Sequence, residues 1–104
     1  MLIDLRTYTV QPGTTSEYLA IYDEQAREAQ LRHLGHMVGF FTSEVGPLNE
    51  IVHLWAYKDW QDRAERRAAL WSDPIFNDAA KNLYPLIQRQ DNKLLTPAPF
   101  SPLR

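Results

Sequence analysis

The sequence predicts an α+β domain: an antiparallel sheet with its helices on one face. Three observations predict it. Residues 37–45 and 51–57 are rich in β-branched and aromatic residues and are separated by Gly46-Pro47-Leu48-Asn49, the signature of paired strands. On either side of this hairpin the apolar residues recur at three-to-four spacing, which is helical. Two more extended segments, 2–10 and 88–95, lie near the ends of the chain. The order strand, helix, strand, strand, helix, strand is the ferredoxin-like βαββαβ arrangement.

In residues 2–10, Ile3, Leu5, Thr7 and Thr9 share one face of the strand, and Leu2, Asp4, Arg6, Tyr8 and Val10 share the other. Pro12-Gly13 ends it. Thr14 and Glu17 stand at capping-box spacing and open a helix, with Tyr18, Leu19, Tyr22, Ala26 and Ala29 as its buried stripe. Gly35 is placed to close that helix, because a positive φ is cheap for glycine. In the second strand of the hairpin, Val52, Leu54 and Ala56 point one way. Ile51, His53, Trp55 and Tyr57 point the other. Asp59 caps the next helix, with Ala64, Ala68, Leu70 and Trp71 as its apolar contacts. Its exposed face pairs Asp59 with Arg63 and Asp62 with Arg66. Asp73-Pro74 restarts a helix through Phe76, Ala79, Ala80, Leu83 and Ile87, which Pro85 ends or kinks. Prolines at 97, 99 and 102 keep the tail out of the sheet. The expectation is one domain over 1–104, with a core at 2–95 and a tail at 96–104.

The chain has 104 residues, no cysteine and a formal net charge of −2. Without cysteine there is no disulfide framework, thiolate metal site or cysteine nucleophile. The charge gives no electrostatic case for nucleic acid. No apolar run approaches the roughly 20 residues of a membrane span, and the N-terminus lacks the pattern of a signal peptide. A cytoplasmic protein is expected.

The sheet has two unlike faces. We expect the helices to cover the small aliphatics, leaving Tyr8, His53, Trp55 and Tyr57 on the opposite face with either Phe40 or Phe41. Open to water, that face exceeds the apolar patch a monomer tolerates. A second copy related by a two-fold axis would cover it and enclose a barrel. The expected partners are thus a second copy and a small apolar ligand held against Tyr8, His53, Trp55 and Tyr57.

His53 is the leading candidate for chemistry: a general base, a haem ligand, or a hydrogen-bonded core imidazole. No histidine at i+2 or i+4 joins it, so no metal site is expected. Arg6 needs a partner if buried, either Asp4 or Glu44, or else it anchors a carboxylate or enolate oxygen. His33 and His36 read as a helix end and a strand start. Arg63, Arg66 and Arg67 read as a solvated helix face. Gly46-Pro47-Leu48-Asn49 is a turn without the glycine series of a phosphate cradle.

Leu5-Arg6-Thr7-Tyr8-Thr9, Arg32-His33-Leu34-Gly35, Gly46-Pro47-Leu48-Asn49 and Val52-His53-Leu54-Trp55-Ala56-Tyr57 follow one another here. After them come Asp62-Arg63, Arg66-Arg67-Ala68, Asp73-Pro74 and the closing Pro97-Ala98-Pro99-Phe100-Ser101-Pro102-Leu103. Together these segments resemble the NIPSNAP family over almost the whole chain. The resemblance implies a dimeric α/β-barrel and with it a homodimer, and supplies no catalytic residues to carry over; no cofactor is expected. The functional expectation is a homodimeric barrel that binds a small molecule or serves as an interaction module. The rival is a cofactor-independent monooxygenase or isomerase with His53 as base and Arg6 as oxyanion partner.

Overall fold

In the computed structural model, which describes residues 1–104, the elements follow the expected order. β1 is Leu2–Val10. A long helical stretch then comprises α1 (Thr15–Ile21), a π-helical segment Tyr22–Ala26 and α2 (Arg27–Leu34). β2 (His36–Thr42) and β3 (Glu50–Tyr57) form the hairpin, and α3 (Trp60–Trp71) and α4 (Pro74–Leu83) follow. A 3-10 turn, Tyr84–Leu86, leads into β4 (Ile87–Leu95). The sheet is antiparallel throughout, in the order β2-β3-β1-β4. The ferredoxin-like expectation holds.

Helix boundaries follow the local signals with one exception. Gly35 ends α2 at φ +87°, its N–H donating to the Leu31 carbonyl. Asp59 and Asp73 cap α3 and α4, accepting from the N–H groups of Asp62 and Ile75. Pro85 ends α4 as a 3-10 turn. The exception is Thr14, whose hydroxyl donates to the Gln11 carbonyl at 2.6 Å, so the capping box with Glu17 does not form. β2 also stops three residues short of the expected end at 45, because Ser43 turns into the loop and donates its hydroxyl to the Pro47 carbonyl. Asn49, at φ 62°, completes that loop.

Register decides which face is which. Leu2, Asp4, Arg6 and Tyr8 lie opposite Tyr57, Trp55, His53 and Ile51. All of these except Arg6, which is half-buried, are buried within the single chain, so they face its helices. This corrects the expected assignment: the face carrying His53, Trp55 and Tyr57 is the covered one. The open face carries Leu5, Thr7, Val52 and Leu54, all half-buried, and Phe41, which is 56% exposed. The physical reason lies in the helices. Their inward residues include the small Ala26, Ala29, Ala79 and Ala80 beside Tyr18, Tyr22, Phe76 and Leu83, and the large side chains of the sheet pack into the space the alanines leave. A bulge between Met37 and Gly39 fixes the remaining ambiguity, setting Phe40 opposite His53 inside and Phe41 opposite Val52 outside.

The phase of α3 also differs from expectation. Ala64 and Ala68 are exposed, Leu70 is buried, and Arg63, Arg66 and Arg67 occupy the half-buried positions. Arg63 reaches Asp4 at 3.1 Å instead of pairing with Asp59, while the Asp62–Arg66 pair forms at 2.8 Å.

Candidate functional site: a ring-walled cavity between sheet and helices

Between the covered sheet face and the helices lies a cavity of about 180 Å³. From the sheet, Arg6, Tyr8, His53 and Gln90 line it. The first helical stretch adds Tyr18, Tyr22 and Gln30, and α3 adds Arg67, Leu70 and Trp71. Phe76, Leu83 and Tyr84 close the far side. No carboxylate lines it.

His53 is 2% exposed and stands at the centre of a ring cluster. Phe40 stacks on it at 4.8 Å and the Tyr8 ring meets it edge-on at 4.9 Å. Its Nδ1 lies 2.8 Å from the Trp55 indole Nε1. An indole N–H only donates, so Nδ1 is the accepting, unprotonated nitrogen and the neutral ring carries its proton on Nε2. Nε2 is buried and meets no partner. Burial, and secondarily the Arg6 guanidinium, lower the His53 pKa from 6.5 to about 3, so the ring is neutral at physiological pH. The site thus holds an uncharged N–H donor with its hydrogen bond unmade.

Arg6 is held from two sides. Its Nε donates to the Tyr8 hydroxyl at 3.0 Å and its Nη1 to Asp4 at 3.2 Å. Asp4, fully buried, also accepts from Arg63 and, at 3.2 Å, from Asn92, so one carboxylate ties together β1, α3 and β4. Of the two partners expected for Arg6, the structure selects Asp4. Arg67 differs from its neighbours: Arg63 and Arg66 are paired, whereas Arg67 has neither an ion pair nor a hydrogen bond.

Tyr22 enters the wall through the π-helical segment, where the Arg27 N–H bonds five residues back to the Tyr22 carbonyl. The wider turn sets Tyr22 against Phe40, with ring centroids 4.6 Å apart, and its hydroxyl donates to Gln30. Burial raises the pKa of both Tyr18 and Tyr22, which keeps them protonated.

Of the residues singled out in the sequence, Arg6, Tyr8 and His53 come together on the cavity wall. Trp55 and Tyr57 are buried beside it without lining it, Trp55 acting through its bond to His53. The cavity lies inside one chain, not in the interior of a two-chain barrel as expected. Sequence reasoning read Arg67 as part of a solvated helix face and did not single out Gln30 or Gln90. The one available signal was the 63–67–70 spacing on α3, which places Arg67 one turn from Leu70 on the inward side.

The fold and its cavity define a ferredoxin-like α+β fold with a pocket between its layers. A family model described as NIPSNAP matches residues 3–102, and the chain belongs to the NIPSNAP family. Protein Atu4242 from Agrobacterium tumefaciens superposes with a TM-score of 0.98 at 44% identity over the full length of both chains. That protein is itself of unknown function. Human NipSnap homolog 2 is 35% identical over 104 residues, covering 99% of this chain and 35% of its own length. The chain spans between 19% and 41% of the length of the curated relatives it matches. An antibiotic biosynthesis monooxygenase shares the fold at a TM-score of 0.68, covering 95% of this chain and all of its own, but at 16% identity the likeness is one of fold alone. No helix is long and apolar enough to cross a membrane.

Proposed function

We propose that this chain is a homodimeric small-molecule-binding protein of the cytoplasm, its ligand held in the cavity between sheet and helices. The single observation that carries this reading is the His53 Nε2–H, buried without an acceptor on a residue that lines the ring-walled cavity. An unmade buried hydrogen bond costs about 1–3 kcal/mol, which a ligand acceptor would recover. The π-helical segment at Tyr22 supports the same place, since such segments concentrate at functional sites. The ligand-contacting residues in this reading are Tyr8 and His53, with Arg6 beside them, while Trp55 and Tyr57 support them from behind.

A general-base role for His53 has less support. Its Nδ1 lone pair is engaged by Trp55, its Nε2 carries the proton, and a pKa near 3 makes it a weak base. The rival reading as an isomerase or cofactor-independent oxygenase would need another base.

The dimer belongs to the open sheet face. Leu5, Val52, Leu54 and Phe41 form a continuous apolar surface there, and a second copy would cover it by two-fold symmetry. Native mass spectrometry of the protein as purified tests both parts. A two-chain species carrying a small adduct is expected. A monomer would overturn the dimer. Persistent absence of any adduct, together with no change in the His53 ring resonances across a small-molecule library, would overturn the binding reading.

A further inference from the structure

The cavity wall has a sign. It carries two guanidinium groups, Arg6 and Arg67, and no carboxylate. Arg6 is neutralised in part by Asp4, which it shares with Arg63. Arg67 is half-buried with no counter-charge and no hydrogen-bond acceptor. A second unpartnered donor stands on a residue of the same wall, the buried His53 Nε2–H. Two unmatched donors, one of them cationic, call for one acceptor with negative charge. The remaining walls are flat rings, Tyr8, Tyr22, Trp71 and Phe76 among them. The space, about 180 Å³, suits a body of one ring, since a dry cavity of about 150 Å³ holds benzene.

We propose that the ligand of this cavity is a small planar carboxylate with a single-ring or similarly compact apolar body. Its carboxylate bridges the Arg67 guanidinium and the His53 Nε2–H, and its ring lies among the aromatic walls. This rests on the binding reading above and adds the chemical class to it. Arg67 supplies charge and His53 supplies direction. Trp55 keeps the His53 proton on Nε2, so it is a positioning residue that touches no ligand. A neutral histidine suits this task because its donor is present throughout the physiological pH range and does not depend on the ligand's charge.

The test is calorimetric titration with benzoate, and with benzamide and benzyl alcohol as neutral counterparts of the same shape. Benzoate is expected to bind more tightly than benzamide by about tenfold or more, the range of a charge-assisted hydrogen bond. Arg67→Gln should remove that advantage and leave benzamide unchanged, and Arg67→Lys should restore part of it. In 15N-histidine spectra, benzoate should shift the protonated Nε2 of His53 while its proton is retained. Equal binding of benzoate and benzamide, or an Arg67→Gln variant that binds benzoate as well as the parent, would overturn the anion class while leaving small-molecule binding intact. Failure of benzoate to bind at all would overturn the proposal, and the adduct measurement above would then decide the broader reading by itself.

Discussion

His53 and Asp4 show how two buried polar residues on one sheet face are held in different ways. Asp4 is charged and fully satisfied by Arg6, Arg63 and Asn92. Removing it strands two guanidiniums at a half-buried site, so Asp4→Ala should lower unfolding stability by about 3–5 kcal/mol. Chemical denaturation against the parent checks this. His53 is neutral and half-satisfied. Its folded pKa, about 3, lies below its ordinary 6.5, so between these values the unfolded chain takes up a proton that the folded chain refuses. Stability contributed by the neutral ring is therefore intact above 6.5 and is lost as pH falls from 6.5 toward 3, by up to about 1.4 kcal/mol per pH unit. Urea midpoints measured across that window should show the loss. His53→Asn, which keeps an acceptor for the Trp55 indole but cannot titrate, should flatten the profile.

At the scale of elements, the junctions of the helical stretches set the geometry of the cavity. The π-helical segment shifts the phase of everything after Tyr22, so that Tyr22 and Gln30 meet across two turns. Gly35 then turns the chain from α2 into β2 at φ +87°, and a Cβ there would lie 2.7 Å from the Arg66 guanidinium. That guanidinium also donates to the His33 carbonyl at the end of α2. Gly35→Ala meets both the left-handed backbone and the displaced arginine, and should cost about 1–2 kcal/mol. The thermal midpoint should drop accordingly. Asp59→Ala, which removes the bond to the Asp62 N–H, should cost about 1 kcal/mol by the same measurement.

The whole molecule presents two faces of a four-stranded sheet, one sealed by its own helices and one half open. Leu54 sits on the open face, opposite Leu5 in β1 and beside Gly39 in β2. Leu54→Glu should convert the dimer of our reading to a monomer in sedimentation velocity while leaving the helical circular dichroism unchanged, because the change faces away from the helices. The cavity, lying within one chain, should keep its ligand in that monomer.

Much of this was legible before any coordinates. The element order, the caps at Asp59 and Asp73, the helix end at Gly35 and the break at Pro85 all follow from local chemistry, in which a side chain or a restricted φ answers to groups a few residues away. The alternation along β3 likewise fixed that His53, Trp55 and Tyr57 share a side, and the common face of Arg6 and Asp4 on β1 made Asp4 one of two candidate partners, between which packing chose. Which side the helices would choose was not legible, since alternation is symmetric and only the fit of helix side chains against sheet side chains breaks the tie. The same holds for α3, where three arginines resemble a solvated face until Asp4, 59 residues earlier than Arg63, is brought beneath Arg63. The cavity and the unpaired Nε2 of His53 are products of that long-range packing: each depends on what several distant segments fail to fill, and no local pattern records an unfilled space.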